Sequence, residues 1–163
     1  MHNHASKNYQ CPLCLIIKGK DNPDNFAKAS DIFYKDEFIT AFIGGKFWEK
    51  NKGGAILIPN KHFENLYDIE EEYGHKIFDF SKKVAIALKD IYKCDGVSTR
   101  QHNEPAGNQD VWHYHVHVTP RYTDDNLYIN NDKKYWSTPE ERKPFVKKLE
   151  KYFENQKTGC MAV

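Results

Sequence analysis

The sequence predicts an α+β domain with an antiparallel sheet. Three features carry this. Short strand-like runs, bounded by turn residues, fill the first third and the middle of the chain. Two separate long segments have helical periodicity instead. Strands and helices do not alternate one for one, as a parallel sheet would require.

Taken in order, residues 20–30 (KDNPDNFAKAS) are polar and contain a proline, so they read as a loop. DIFY and FITAFIGG follow, separated by Lys35-Asp36-Glu37, which predicts a short hairpin. Alternation then sets Phe38, Thr40 and Phe42 on one face and Ile39, Ala41 and Ile43 on the other. KFWEKNKGG reads as a second loop. AILIP (Ala55–Pro59) is an apolar run stopped by proline, as in a buried strand. From Glu70 to Tyr92 the period lengthens. Tyr73, Ile77, Phe80, Val84, Leu88 and Ile91 recur at three- and four-residue steps, which predicts a long amphipathic helix. Its acidic first turn suits the positive end of a helix dipole. DGVSTRQ reads as a strand, HNEPAGN as a turn and VWHYHVHVTP as a strand. Thr138-Pro139-Glu140-Glu141 is a capping box with proline at the first helical position. Phe145, Leu149, Tyr152 and Phe153 supply the apolar face of this C-terminal helix, and the tail after Glu154 is expected to fray.

At 163 residues, 39% hydrophobic and 29% charged, the chain suits one globular domain with a real core. We expect a single domain over 1–163, with its core at about 9–155 and flexible termini. A net charge of +1 gives no strong field toward nucleic acid or an anionic membrane. MHNHASKNYQ lacks the apolar stretch of a signal peptide, and no run approaches the ~20 apolar residues of a membrane span. The expected location is cytoplasmic. Four cysteines are too few for a disulfide scaffold. Cys94 and Cys160 stand alone and read as packing residues. Cys11 and Cys14 form a C-x-x-C pair, which suits metal or redox chemistry or a plain reduced pair.

His113, His115 and His117 fall on every second residue of the expected last strand. In an extended segment they share a face, with successive rings ~6–7 Å apart. Trp112, Tyr114, Val116 and Val118 then point toward the core. Such a row could be solvent-facing histidines, or ligands of a catalytic metal. It could also be a nucleophilic imidazole flanked by groups that hold phosphate charge.

HYHVHV resembles the alternating signature of the histidine triad (HIT) nucleotide hydrolases and transferases. ILIPNKHFENLYDI is similar to the family's strand–Pro-x-x-His segment, and NEPAGNQDVWHYHVHVTPRY to its loop and triad strand; the resemblance spans about Cys11 to Tyr122. It implies a HIT-like fold, with an antiparallel sheet of about five strands, one long helix and one C-terminal helix. It implies that His115 attacks the α-phosphorus of a nucleotide, with a backbone carbonyl of the same strand fixing its tautomer, and that His117 holds phosphate oxygens. Asn108, Gln109 and Asp110 of the loop would add donors, and His102 or Asn103 would sit near the phosphates. Phe42 has two readings, the base pocket or the core, and the core is the stronger. Zinc-containing relatives imply a structural Zn²⁺ site on Cys11, Cys14, His62 and His113. The partners implied are a nucleotide substrate and a second copy of the chain, paired through the main helix.

Two departures bear on specificity. Gly44 stands where many members carry a ribose-binding Asp, so a carboxylate for sugar hydroxyls is missing. Asp110 replaces a common Ser or Thr, and a carboxylate repels phosphate unless it is paired or protonated. Lys46, Lys50 and Lys52 sit near the expected pocket mouth and could attract polyphosphate. Plausible substrates are dinucleoside polyphosphates or nucleoside phosphoramidates. The rivals are a three-histidine metallohydrolase and a nucleotide- or partner-binding module with vestigial chemistry.

Overall fold

A tight turn opens the sheet. Asp36 accepts the N–H groups of Phe38 and Ile39 at 2.8 and 2.7 Å, and so folds β1 (Ile32–Lys35) back onto β2 (Ile39–Ile43). The computed structural model describes residues 2–21 and 27–159, so part of the 20–30 loop and Cys160 lie outside the described residues. Next come β3 (Lys46–Phe47), β4 (Ala55–Pro59), β5 (Gly96–Gln101), β6 (Val116–Arg121) and β7 (Tyr135–Trp136). The main sheet runs β1-β2-β4-β6-β5, with every neighbour antiparallel. The helices are α1 (Pro12–Ile17), α2 (Glu71–Tyr92) and α3 (Pro139–Gly159).

Strand alternation sorts the apolar residues onto two faces, and both faces are covered. Ile39, Ala41, Leu57, Val116 and Val118 pack under α2 and α3, meeting Ile77, Val84 and Leu88 of α2 and Leu149 of α3. Phe42 and Ile58 point the other way, into a smaller core closed by Leu13 and Ile16 of α1. The capping box forms in both directions. Glu141 N–H donates to Thr138 Oγ1 at 3.2 Å, and Thr138 N–H donates to the Glu141 carboxylate at 2.8 Å. A buried Asp31–Arg142 ion pair (2.9 Å) ties the start of β1 to α3.

The structure corrects the sequence reading at three places. KFWEKNKGG contains β3, which pairs with β7 ninety residues away in a separate two-stranded ribbon. Helix α3 runs on to Gly159 rather than fraying after Glu154. The triad segment is extended only from Val116. Before that, His113 N–H bonds back to the Val111 carbonyl at 2.8 Å, a tight turn about Trp112, and Tyr114 N–H bonds to the Phe63 carbonyl at 2.6 Å. The turn breaks the alternation, so Trp112 faces the N-terminal His4 (ring centroids 5.5 Å) instead of the core.

After β6 the chain turns around Asp125, which is buried. Its carboxylate accepts from Arg121 Nε and Nη2 at 2.7 Å, Asn51 Nδ2 at 2.8 Å, and the N–H groups of Tyr122 and Leu127 at 3.0 Å. The Arg121 guanidinium, aided by those N–H groups, holds this carboxyl well below the usual carboxylate range. Its folded value lies below the unfolded one. The stability it contributes is therefore present above about pH 4 and is lost as pH falls toward the folded value. Asp125→Asn is expected to cost about 1.5–3 kcal/mol at neutral pH and to flatten the loss of stability below pH 4. Urea unfolding at pH 7 and pH 3 measures both; an unchanged acid limb would remove Asp125 as its source.

Candidate active site and metal centre

His113 stands at the junction of two sites. Its Nε2 lies 3.0 Å from the Pro59 carbonyl at the end of β4. A carbonyl only accepts, so Nε2 carries the proton and Nδ1 of the neutral ring keeps its lone pair. That lone pair faces three side chains: Cys11 Sγ at 3.3 Å, Cys14 Sγ at 3.6 Å and His62 Nδ1 at 3.2 Å. Cys14 Sγ lies 3.4 Å from His62 Nδ1, and all four donor atoms fall within 4.8 Å of one another. A tetrahedral zinc with Zn–N of about 2.0–2.1 Å and Zn–S of about 2.3 Å needs donors ~3.3–3.8 Å apart. Four of the six donor pairs, at 3.2–3.6 Å, match that geometry closely. The donor set is assembled from the start of α1, the turn after β4 and the bend before β6.

The hydrogen bond from Cys11 pulls Cys14 far below the ordinary thiol range, with His113 and His62 adding to it. That contact and burial push Cys11 up. Cys14 raises His62 in turn. Both cysteines are free thiols.

The same residue sets His115. His115 Nδ1 lies 2.7 Å from the His113 carbonyl, so Nδ1 is the donor and Nε2 carries the free lone pair. His115 is 4% exposed, and burial lowers its pKa below the ordinary value, with the His113 carbonyl opposing. His117 lies beside it, ring centroids 5.0 Å apart, closer than the spacing along an ideal strand. Burial lowers His117 further, and His115, Arg100, His102 and Lys46 add to this.

Both imidazoles line a cleft of about 980 Å³, counted to its open mouth. Three of the loop residues expected near the phosphates also line it: His102, Asn108 and Asp110. His102 donates from Nδ1 to the Gly107 carbonyl at 2.8 Å, which again leaves Nε2 free. Gly107 is required there, because a Cβ would lie 2.0 Å from the Asn103 carbonyl oxygen. Asn108 has φ 71, the left-handed region. Asp110 meets Lys46 at 3.7 Å, which offsets its repulsion of an anion.

Three expected residues lie elsewhere. Gln109 is buried with its amide fully used: Oε1 accepts Glu104 N–H at 2.8 Å, and Nε2 donates to the Glu64 and Val111 carbonyls at 2.6 and 3.0 Å. It braces the loop and has no donor left for a phosphate. Asn103 bonds Leu66 N–H and Gln101 and holds the base of the loop. Phe42 is fully buried in the core under α1, because its neighbours on that face are Ile58 and Leu13. Of the three lysines, only Lys46 lines the cleft; Lys50 donates to the Asp124 carbonyl and Lys52 pairs with Glu49.

The sequence reading missed Arg100, Trp48, Lys134 and Trp136, which also line the cleft. Arg100 had a signal, since it sits in register with His117 on the adjacent strand. Lys134 and Trp136 had none, because the β3–β7 pairing that delivers them is non-local.

Comparison with known proteins agrees with this architecture. A family model described as HIT domain matches residues 25–124. The Bacillus subtilis protein named Protein hit is 35% identical over 119 residues, covering 73% of this chain and 74% of that protein. The crystal structure of a HIT family member from Bacillus subtilis matches with a TM-score of 0.60 at 29% identity, over 88% of this chain and 96% of that one. An adenosine 5'-monophosphoramidase of Saccharomyces cerevisiae is 31% identical over 70 residues, 43% of this chain and 42% of that protein. The triad, its fold and these likenesses agree, and the chain belongs to the histidine triad (HIT) family of nucleotide hydrolases and transferases.

Proposed function

We propose that the chain hydrolyses or transfers nucleotidyl groups, with His115 as covalent nucleophile. The observation that carries this is the His115 Nδ1–H bond to the His113 carbonyl, which leaves Nε2 unprotonated in a cleft beside His117. Nε2 attacks the α-phosphorus, a P–N bond forms, and the bond to the leaving atom breaks with its electron pair, so that a phosphate departs as its anion and the nitrogen of a phosphoramidate, protonated by solvent, departs as the neutral amine. Nδ1 keeps its proton throughout, so the intermediate is a nucleotidyl-imidazolium that the carbonyl stabilises. Water then attacks phosphorus, the P–N pair returns to Nε2, and the proton released by water leaves with the products. His117 and the loop at Asn108 stand where they can hold non-bridging oxygens. The phosphoramidase relative supports a phosphorus–nitrogen linkage as a bond broken.

We further assign a structural Zn²⁺ to Cys11, Cys14, His62 and His113. A closed Cys₂His₂ site supplies folding energy rather than chemistry. It would pin α1 to the triad bend and hold the carbonyl that orients His115. The three-histidine metal reading is disfavoured, since His113 Nδ1 turns toward the cysteines and His115 Nδ1 bonds a carbonyl. In this reading 1–163 is one domain acting as a homodimer in the cytoplasm. Phe78 and Ile86, two turns apart and exposed on α2, suit such a dimer face, and no described helix is long and apolar enough to cross a membrane.

Incubation with adenosine 5'-phosphoramidate or diadenosine tetraphosphate, quenched in base, should show an adenylyl group on His115 by mass spectrometry. His115→Ala should lose the adduct and at least ~10³-fold in turnover; turnover persisting in that variant would defeat the proposal. Metal analysis should find about one zinc per chain. Cys11→Ser should lose the metal and melt at a lower temperature, whereas full zinc retention would take Cys11 out of the ligand set.

A further inference from the structure

His115 and His117 leave the cations of the cleft without a role. Lys46, Arg100 and Lys134 line the cleft against a single carboxylate, Asp110, in a chain whose net charge is only +1. Asp110 pairs with Lys46. Among the described residues no carboxylate lies within ion-pair distance of Arg100 or Lys134. The Arg100 guanidinium instead sits over two rings, 5.7 Å from the centroid of Trp48 and 5.6 Å from that of Tyr128. Arg100 Nε and Trp48 Nε1 are both buried without an acceptor. A buried donor left unpaired costs about 1–3 kcal/mol, and here two stand together beside unneutralised cations.

The position of these cations is set by two pairings. Arg100 is the cross-strand partner of His117, so the guanidinium stands one strand over from the second triad imidazole, on the same face of the sheet. The β3–β7 ribbon then sets Trp136 opposite Lys46, whose Nζ lies 4.7 Å from the Trp136 ring centroid, and Lys134, next to β7, also lines the cleft. Lys134 and Trp136 lie beyond residue 124, where the family match ends. On the strand side, Gly44 and Gly45 line the cleft with no polar group, and a Cβ on Gly45 would come within 3.0 Å of Trp136. The cleft thus sets three cations that read phosphate beside strand glycines that offer no side chain to a sugar.

We propose that Arg100 and Lys134, flanked by Trp48 and Trp136, form a second anion subsite that takes a phosphate of the leaving group. The preferred substrate class is then a nucleotide whose α-phosphate is joined to a phosphoanhydride chain, rather than one whose leaving group is a neutral amine. The assignment of a leaving group rests on His115 as nucleophile; the anion subsite does not. Arg100 presents a planar fork suited to two phosphate oxygens, and Lys134 adds a point charge.

Two measurements test it. Calorimetric titration with inorganic triphosphate and with orthophosphate needs no turnover. Triphosphate should bind the wild-type chain at least ~10-fold more tightly, and Arg100→Gln should lose ~10–100-fold for triphosphate, the equivalent of one or two charge-assisted hydrogen bonds. Lys134→Ala should lose part of the same advantage. Equal binding of the two anions by the wild-type chain, or equal weakening of both by Arg100→Gln, overturns the subsite. The second measurement is the ratio of kcat/KM for diadenosine tetraphosphate to that for adenosine 5'-phosphoramidate. It should fall at least ~10-fold in Arg100→Gln. ATP in place of diadenosine tetraphosphate distinguishes a free chain end from a bridged one, and a fall with either supports the subsite. An unchanged ratio with both overturns the leaving-group assignment. A wild-type chain that turns over none of these nucleotides defeats the proposed function instead, and the triphosphate titration still decides the subsite.

Discussion

The hydrogen bond from His115 Nδ1 to the His113 carbonyl is the contact on which the site depends. It removes one of two tautomers and so decides which ring nitrogen can act. It also makes the chemistry of His115 a matter of backbone position at His113. That backbone is held by the His113 ring, which bonds the end of β4 through Nε2 and faces the cysteines through Nδ1. One residue therefore uses its side chain for a metal-type donor cluster and its carbonyl for the reacting imidazole. The two sites are mechanically coupled without sharing a ligand atom.

The bend at Trp112 makes this possible. In an ideal strand His113 and His115 would share a face and crowd one cleft. The tight turn sends the His113 ring toward α1 and the turn after β4, while His115 and His117 stay together. The N-terminal segment follows the same bend. Tyr9 Oη accepts from Trp112 N–H, Glu64 accepts the N–H groups of His4 and Ala5, and His4 pairs with Glu104 in the loop beside the cleft. Residues far apart in sequence thus converge on one turn.

The cleft itself has two kinds of wall. One is the sheet and the loop from His102 to Asp110, shaped by local requirements such as Gly107, where no side chain fits. The other comes from the ribbon of β3 and β7 and carries aromatic rings and cations. The first lies within the family-model match, and the second joins β3 inside that match to β7 beyond it.

The sequence by itself determined the fold class, the strand hairpin, both long helices with the capping box, and the donor set Cys11, Cys14, His62 and His113. The elements are written in local period, spacing or motif, and the donor set in the resemblance to zinc-containing members of the family. Only the tertiary structure decided that Gln109 braces the loop, that Phe42 belongs to the α1 core, and that Arg100, Lys134 and Trp136 share a cleft with the triad. Gln109 and Asn108 are adjacent polar residues in one loop, and no local pattern says which one turns inward. Phe42 reads as an alternating strand residue whichever layer covers its face. A two-residue strand such as β7 has too few residues to show a period, so its pairing follows from the packing around it rather than from its own composition.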